Sequence, residues 1–434
     1  MVAKRTLSSL QVRNYRLFFT GQIISVSGTW MQTVAQGWLV LDLHGTGTVL
    51  GLITAARFLP MMLFAPMGGV LADRLDKRHV LYVTQSASGI LALVLAGLIY
   101  THHINLGLVT VIALALGVVN VFDNPTRQSF IPEMVPPAEL ANAVTLNSIT
   151  VNMARVIGPA LAGVLIATLG LSPCFALNGA SFAAVIISLA LMRSAELYPA
   201  PRQARQRGQV REGLRYAART PELAVPLIMI TVVGTLAWEF QVSLPLMARL
   251  AFHGRASTYG TMLSFMGAGA VAGGLIVARR SRTAARGLAW SSLGWGVAIL
   301  AAAFAPNLPI ELATMLLVGY GSISFNSLAK TALQLAAAPA LRGRVMALWS
   351  VAWLGSTPIG GPIVGWVGQH AGPRWSLIVG GVPTILVGVL CYPMLARIDA
   401  RRSEGQTSAE PADGPGLSAA EVDLAAPEAA AAES

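Results

Sequence analysis

The sequence predicts an all-α membrane protein whose twelve transmembrane helices form two pseudo-symmetric six-helix halves. Three observations predict it: apolar blocks long enough to cross a bilayer, basic residues gathered on one side of those blocks, and motifs that recur about two hundred residues apart. Of the 434 residues, 54% are hydrophobic and only 11% are charged, against roughly 25% charged in a soluble domain. A chain this poor in charge cannot keep its apolar area from water by folding on itself. The blocks are about 20 residues long, enough to span a hydrocarbon core as helices. They run on without the alternation of a β-barrel strand.

Taken in order, the first span is read at residues 15–41. Lys4, Arg5, Arg13 and Arg16 precede an apolar stretch that begins near Leu17 and have the charge of a signal-peptide n-region, but the apolar run reaches Leu41 and lacks a clear cleavage motif, so it reads as a retained helix. The spans that follow are 48–71, 79–100, 105–128, 140–168 and 171–192, then 224–248, 257–279, 286–305, 309–332, 343–370 and 374–396. The domain reading is residues 1–192 as one half, 193–223 as a basic central loop, 224–396 as the other half and 397–434 as a tail. The tail is rich in Ala, Glu, Pro and Ser, a composition expected to stay disordered.

Charge placement orients the chain. Twenty-five of the 30 Lys and Arg fall on the side of the termini, seven of them in the central loop; three (Arg249, Arg255, Arg374) fall on the other side, and Arg57 and Arg155 lie within spans. This asymmetry places both termini and the central loop in the cytoplasm of a bacterial cell, in a multi-pass inner-membrane protein. The net charge of +11 therefore belongs to loops. It does not form a basic face interleaved with aromatics, so nucleic acid is excluded as a partner. Cys174 and Cys391, at the outer end of one span and inside another, suggest neither a disulfide framework nor a thiolate metal site.

An internal repeat supports the two halves. Asn142-Ala-Val-Thr-Leu-Asn-Ser148 precedes Gly158-Pro-Ala-Leu-Ala-Gly163, and 202 to 203 residues later Arg344-Val-Met-Ala-Leu-Trp-Ser350 precedes Gly361-Pro-Ile-Val-Gly365. Gly69-Val-Leu-Ala-Asp-Arg74 is echoed by Gly274-Leu-Ile-Val-Ala-Arg279. Parallel halves of this kind place a substrate site at their interface near the bilayer midplane, with rocking of one half giving alternating access. Chance recurrence of Gly, Pro and Ala is the competing explanation, and the common offset and loop placement disfavour it.

The loop between spans two and three, Gly69-Val-Leu-Ala-Asp73-Arg74-Leu-Asp76-Lys77-Arg78, resembles the signature loop of the major facilitator superfamily, G-x-L-A-D-R-x-G-R-R/K. It departs at Asp76, usually Gly, and at Lys77, usually Arg. The resemblance implies a conformational latch of Gly69, Asp73, Arg74, Lys77, Arg78 and Asp123. In it Asp73 caps the dipole of span eleven and Lys77 or Arg78 pairs with Asp123. The equivalent of Asp73 in the second half is Ala278, which makes the latch asymmetric. Gly158, Pro159 and Gly163 in span five resemble the G-P-x-x-G-G motif of antiporter branches, with Ala162 in place of one Gly; a kink or close helix packing is the plainer explanation of such a motif. The run Asn14-Tyr-Arg-Leu-Phe-Phe, Gly28-Thr-Trp-Met-Gln32 and Gln36-Gly-Trp38, with Ala72-Asp-Arg-Leu-Asp76, is similar to the branch of enterobactin exporters and multidrug proton antiporters, the transmembrane secretion effector type, over nearly the whole chain to about residue 400. That resemblance implies efflux, and a monomer as the default.

Polar residues recur at helical spacing inside the apolar blocks. Span one carries Gln22, Ser25, Thr29, Gln32, Thr33 and Gln36, span five Thr145, Ser148, Asn152 and Arg155, and span ten Ser322, Asn326 and Lys330. Such stripes face a neighbouring helix or a wet cavity. The candidate substrate cavity is Gln22, Thr29, Gln32, Gln36, Arg57, Asn152, Arg155, Trp238 and Asn326. Arg57, Arg155 and Glu239 lie near mid-depth, where an ionisable group costs several kcal/mol unless paired or hydrated and is a functional candidate by default. Glu239 is the candidate proton-coupling site; the alternative is structural pairing with an arginine. The excess of positive charge suggests anionic or catecholate-like substrates, and Trp238, Trp30 and Trp38 are candidates for stacking on them, packing being the simpler role. His102 and His103 sit in an outer loop as solvated residues.

The expected function is export of small amphiphiles, drugs or siderophore-like compounds, by proton antiport across the lipid bilayer. Lipid or lysolipid movement, or facilitated transport without protons, is the alternative, and a non-transporting receptor a remote one. The sequence holds no P-loop and no nucleophile or metal constellation, so neither an enzyme nor a cofactor is expected.

Overall fold

The computed structural model describes residues 7–198, 209–278, 285–339 and 341–407, and all regular structure among them is helical. The basic residues Lys4, Arg5, Arg202, Arg205, Arg207, Arg279, Arg280 and Arg282 and the tail beyond 407 lie outside the described residues, as do the side chains of residues 65–74, 209–211, 278, 354 and 402–407.

The first six long helices are α1 (Arg13–Asp42), α2 (Gly47–Arg74), α3 (Lys77–Tyr100), α4 (Leu106–Met134), α5 (Leu140–Leu169) and α6 (Ser172–Leu191). A short helix α7 (Gln209–Arg219) leads into α8 (Pro221–Leu236), α9 (Phe240–Leu246), α10 (Ala256–Ala278), α11 (Arg286–Ala303) and α12 (Leu308–Ala336). The chain ends in α13 (Arg342–Leu354), α14 (Thr357–His370) and α15 (Pro373–Thr407). Side chains start several of them. Asp76 accepts from the His79 amide at 2.7 Å, Asn105 from Leu108 at 2.9 Å and Asn307 from Ile310 at 3.1 Å, each satisfying one of the orphan donors of a first turn. Asp76, the departure from the family's usual glycine, is thus the cap of α3, at an unstrained φ of −63°.

Nine helical stretches among the described residues are long and apolar enough to cross a membrane. The other three expected spans differ for visible reasons. Helix α1 carries the stripe of glutamines, serines and threonines, α11 has only 18 residues, and the eleventh expected span is divided at Gly355–Ser356 into α13 and α14. The seventh is divided too, by Ala237–Glu239, into α8 and α9.

Packing follows one scheme twice. Helix α1 packs on α5 and α6, α3 on α4 and α6, and α2 on α4. Correspondingly α8 packs on α13, α14 and α15, α11 on α12 and α15, and α10 on α12. The two sets meet where α2 lies along α14 and α5 along α10. Large side chains such as Phe175, Tyr259, Trp295 and Phe325 fill the interior, while Leu63, Ile90, Val111 and Leu390 point outward. An apolar exterior of this kind is what a bilayer solvates.

Both seams between the sets rest on glycine. A Cβ on Gly51 of α2 falls 2.6 Å from the carbonyl carbon of Gly361 and 2.9 Å from Cα of Pro362. In the other seam a Cβ on Gly260 of α10 falls 2.6 Å from the Pro159 carbonyl oxygen, and one on Gly163 falls 3.2 Å from Cα of Ser257. The repeated Gly163 and Gly365 therefore occupy matching places, each where the sets touch. These contacts lie in the half of the bundle remote from the termini. There the Gln369 side chain also accepts from the Thr48 hydroxyl at 2.7 Å, and Arg249 pairs with Asp42 at 3.2 Å.

Candidate functional site

Two clefts lie where the sets of helices face each other. One is lined by Thr33, Gln36, Leu50, Thr54, Arg57 and Gln241. The other is lined by Trp30, Arg155, Trp238, Leu263, Met266 and Ser322. Arg155 is positioned by a local sequence effect. Pro159, four residues on, has no N–H to give the Arg155 carbonyl, and that carbonyl lies 2.8 Å from the Cβ position of Gly267 on α10. The backbone of Arg155 is thereby held at the seam, while its guanidinium lies over the ring of Trp30 at 5.3 Å and of Trp238 at 5.6 Å. Trp238 is wedged in turn against Trp353, with ring centroids 4.6 Å apart.

Glu239 follows Trp238 in the break between α8 and α9 and is 3% exposed. Its carboxyl turns away from the second cleft and toward the other broken helix. Thr357, the first residue of α14, acts on it through its hydroxyl, and its two oxygens lie 3.1 Å and 3.5 Å from the Cβ positions of Gly360 and Gly361. Larger residues there would displace it. No ion pair involves Glu239 among the described residues, and Oε1 has no hydrogen-bond partner. The positive end of the α14 dipole is the nearest compensation for a negative charge at this point.

The candidate cavity residues divide by environment. Gln36, Arg57, Arg155 and Trp238 line the clefts, and Arg57 reaches the Thr33 hydroxyl at 3.4 Å. Gln22, Thr29, Gln32, Asn152 and Asn326 line neither cleft. Gln22 accepts from Arg127 of α4 at 3.1 Å, and Gln32 accepts from Asn178 of α6 at 2.6 Å, so both tie α1 to its neighbours. Thr29 and Asn152 bond back to carbonyls one turn earlier, at 2.9 Å each. Asn326 lies on α12 with Oδ1 buried and without a partner. Helical spacing puts such residues on one face, but a face of α1 wide enough to hold them all spans two neighbouring helices and the cleft between.

The latch pairing differs from expectation. Lys77 pairs with Glu133, and Arg78 bonds the Ser194 hydroxyl at 2.7 Å and lies 5.8 Å over Tyr82. Asp123 instead accepts from Thr84 at 2.8 Å and Gln85 at 2.6 Å and faces Arg127 at 3.8 Å. The reason is axial level. Lys77 opens α3 beside the end of the antiparallel α4, and Asp123 lies ten residues before Glu133, about 15 Å deeper at 1.5 Å per residue. Gly69, Asp73 and Arg74 sit in the last turns of α2, with side chains outside the described residues. Gly158, Pro159 and Gly163 pack against α1 and α10: a Cβ on Gly158 falls 2.5 Å from the Ser27 carbonyl oxygen.

The family description of the transmembrane secretion effectors, a branch of the major facilitator superfamily, matches residues 4–424. The chain belongs to that family. Its relatives include the multidrug efflux pump Tap of Mycolicibacterium fortuitum, 26% identical over 86% of this chain and 94% of that one. An enterobactin exporter of Citrobacter koseri is 26% identical over 88% and 92%. Among solved structures, a bacterial homolog of the human lysosomal transporter Spinster superposes with a TM-score of 0.71 at 14% identity, over 89% of this chain and 97% of that chain. The chain is thus a multi-pass membrane transporter and not an enzyme.

Two features of the transporter escape reading from the sequence. The breaks in the seventh and eleventh expected spans fall inside blocks read as single helices; Gly234 and Glu239 at one, and the Gly355-Ser356 pair with Pro358 in the first turn of α14 at the other, are signals for them in the sequence. Glu311 in the first turn of α12 is fully buried, near enough to Arg374 to interact electrostatically. At that position an acid reads as an ordinary partner of the helix dipole, and only the packing shows that it is closed off from water.

Proposed function

We propose that this transporter exports small amphiphilic molecules, drugs or siderophore-like compounds, by alternating access coupled to proton entry, with Glu239 as the coupling site. The observation that carries the reading is the placement of Glu239: a buried carboxyl without a cation partner among the described residues, at the crossing of two broken helices, beside the clefts between the two sets. Discontinuous helices that meet near mid-depth are where secondary transporters bind substrate and coupling ion. Taking a carboxylate out of water without a partner costs several kcal/mol, and protonation removes that cost.

The twofold packing scheme supports two six-helix halves in twelve spans. The charge asymmetry supports cytoplasmic termini in a bacterial inner membrane, which makes the remote seams an outer seal. In the cycle, Glu239 takes a proton when those seams part and substrate leaves. The neutral carboxyl then fits the closed crossing, and proton release to the cytoplasmic side lets the next substrate in. A monomer suffices, because both halves lie in one chain.

The test is transport in proteoliposomes under an imposed pH gradient, with a cationic dye and a catecholate as substrates, wild type beside Glu239→Gln. Movement that collapses with the gradient and with the substitution supports antiport at Glu239. Movement indifferent to both turns the reading to facilitated or lipid transport.

A further inference from the structure

Resting on that reading, we propose that Arg155, flanked by Trp30 and Trp238, forms the substrate subsite for a planar organic anion carried on an aromatic ring, an aryl carboxylate being the simplest case. Three observations converge. The second cleft presents Arg155 among the apolar walls of Leu263 and Met266, and the Ser322 hydroxyl there gives its proton to the Gly319 carbonyl at 2.8 Å, which leaves Arg155 as the donor to a ligand. Arg155 makes no ion pair among the described residues, and its Nε is closed off from solvent without an acceptor. Both indoles stand against the guanidinium.

Stacking of a guanidinium on aromatic faces holds its plane and leaves the N–H fork at the plane's edge free. That fork matches two coplanar oxygens of a carboxylate, and a ring attached to them would enter the space bounded by indole and Met266. The charge count points the same way. Among the described residues neither cleft is lined by a carboxylate, while each is lined by an arginine, Arg57 in one and Arg155 in the other. Glu239 directs its carboxyl at Gly360 and Gly361 of α14 instead. An organic cation meets a like charge in either cleft, and a neutral ring leaves the Arg155 fork unsatisfied.

The experiment is calorimetric titration of the full-length protein in lipid nanodiscs with three ligands of one ring system: 1-naphthoate, 1-naphthamide and 1-naphthylmethylammonium. The expected result is that naphthoate binds at least tenfold more tightly than either of the others. Arg155→Gln is expected to erase the preference, and Arg155→Lys, which keeps the charge and loses the fork, to retain part of it. The wild-type comparison stands even if a variant folds poorly. Equal binding of the three, a preference for the ammonium, or no binding of naphthoate overturns the subsite. A cationic dye still driven by the pH gradient would then leave the transport reading intact. Naphthoate preference without gradient-driven movement would strike the transport reading and spare the subsite.

Discussion

Replacing Gly51 by alanine tests whether the α2–α14 seam is a gate. The added Cβ would sit 2.6 Å from the Gly361 carbonyl carbon, about 0.8 Å short of the 3.4 Å at which ordinary contact begins. Both sides of the seam are backbone, so no rotamer change relieves the clash and the helices must part. Overpacking of this kind costs about 1–3 kcal/mol, while alanine returns roughly 0.5–1 kcal/mol of helix propensity in any state. The clash acts only when the seam is closed. The propensity gain is common to both states and cancels, so the closed state loses about 1–3 kcal/mol, which raises the open population roughly 5–150-fold. The assay is labelling of Ile53→Cys, a cleft residue 3% exposed, by an impermeant maleimide added on the side remote from the termini, with Cys174 and Cys391 replaced by alanine. The labelling rate is expected to rise by that factor. Gly97→Ala on α3, where nothing lies within 4 Å of the new Cβ, is expected to leave it unchanged. An unchanged rate in Gly51→Ala, with the protein folded, would refute the gate.

Two further outcomes follow from the packing. In a double-mutant cycle of Lys77→Met and Glu133→Gln, read by thermal unfolding in detergent, the coupling is expected at about 1–3 kcal/mol, because each side chain is only 13% exposed. The Arg193–Glu196 pair, 63% and 41% exposed, is expected to show well under 1 kcal/mol in the same cycle. Gln32→Leu is expected to cost about 1–3 kcal/mol by leaving the buried Asn178 amide unpartnered, and Gln32→Leu with Asn178→Leu to cost less than the two singles together. Because Gln32 ties α1 to α6, its substitution is expected to lower thermal stability without a selective change in substrate KM.

Much of this protein is written along the chain. Membrane crossing is a one-dimensional property, since each block must satisfy its own backbone hydrogen bonds and present apolar side chains to lipid; residues 15–41 and 171–192 are legible as α1 and α6 for that reason. The family is legible as well, in the loop from Gly69 to Arg78 and in Gly158-Pro159, because a repeated close approach needs a repeated glycine. Which polar residue faces which neighbour is a different matter. Gln32 and Gln36 lie one turn apart on the same helix, yet one bonds Asn178 and the other lines a cleft, because α6 covers the first and leaves the second open. Asp123 meets Thr84 and Gln85 in place of Lys77 because antiparallel helices set partners by depth and not by sequence proximity. A helical membrane transporter of this family, and the residue types at its centre, can be read along the chain. That two helices break where they cross, and that Glu239 therefore faces α14 while Arg155 faces the cleft, comes from packing in three dimensions: a side chain's direction depends on partners far away in the chain, as Trp30 and Trp238 are for Arg155.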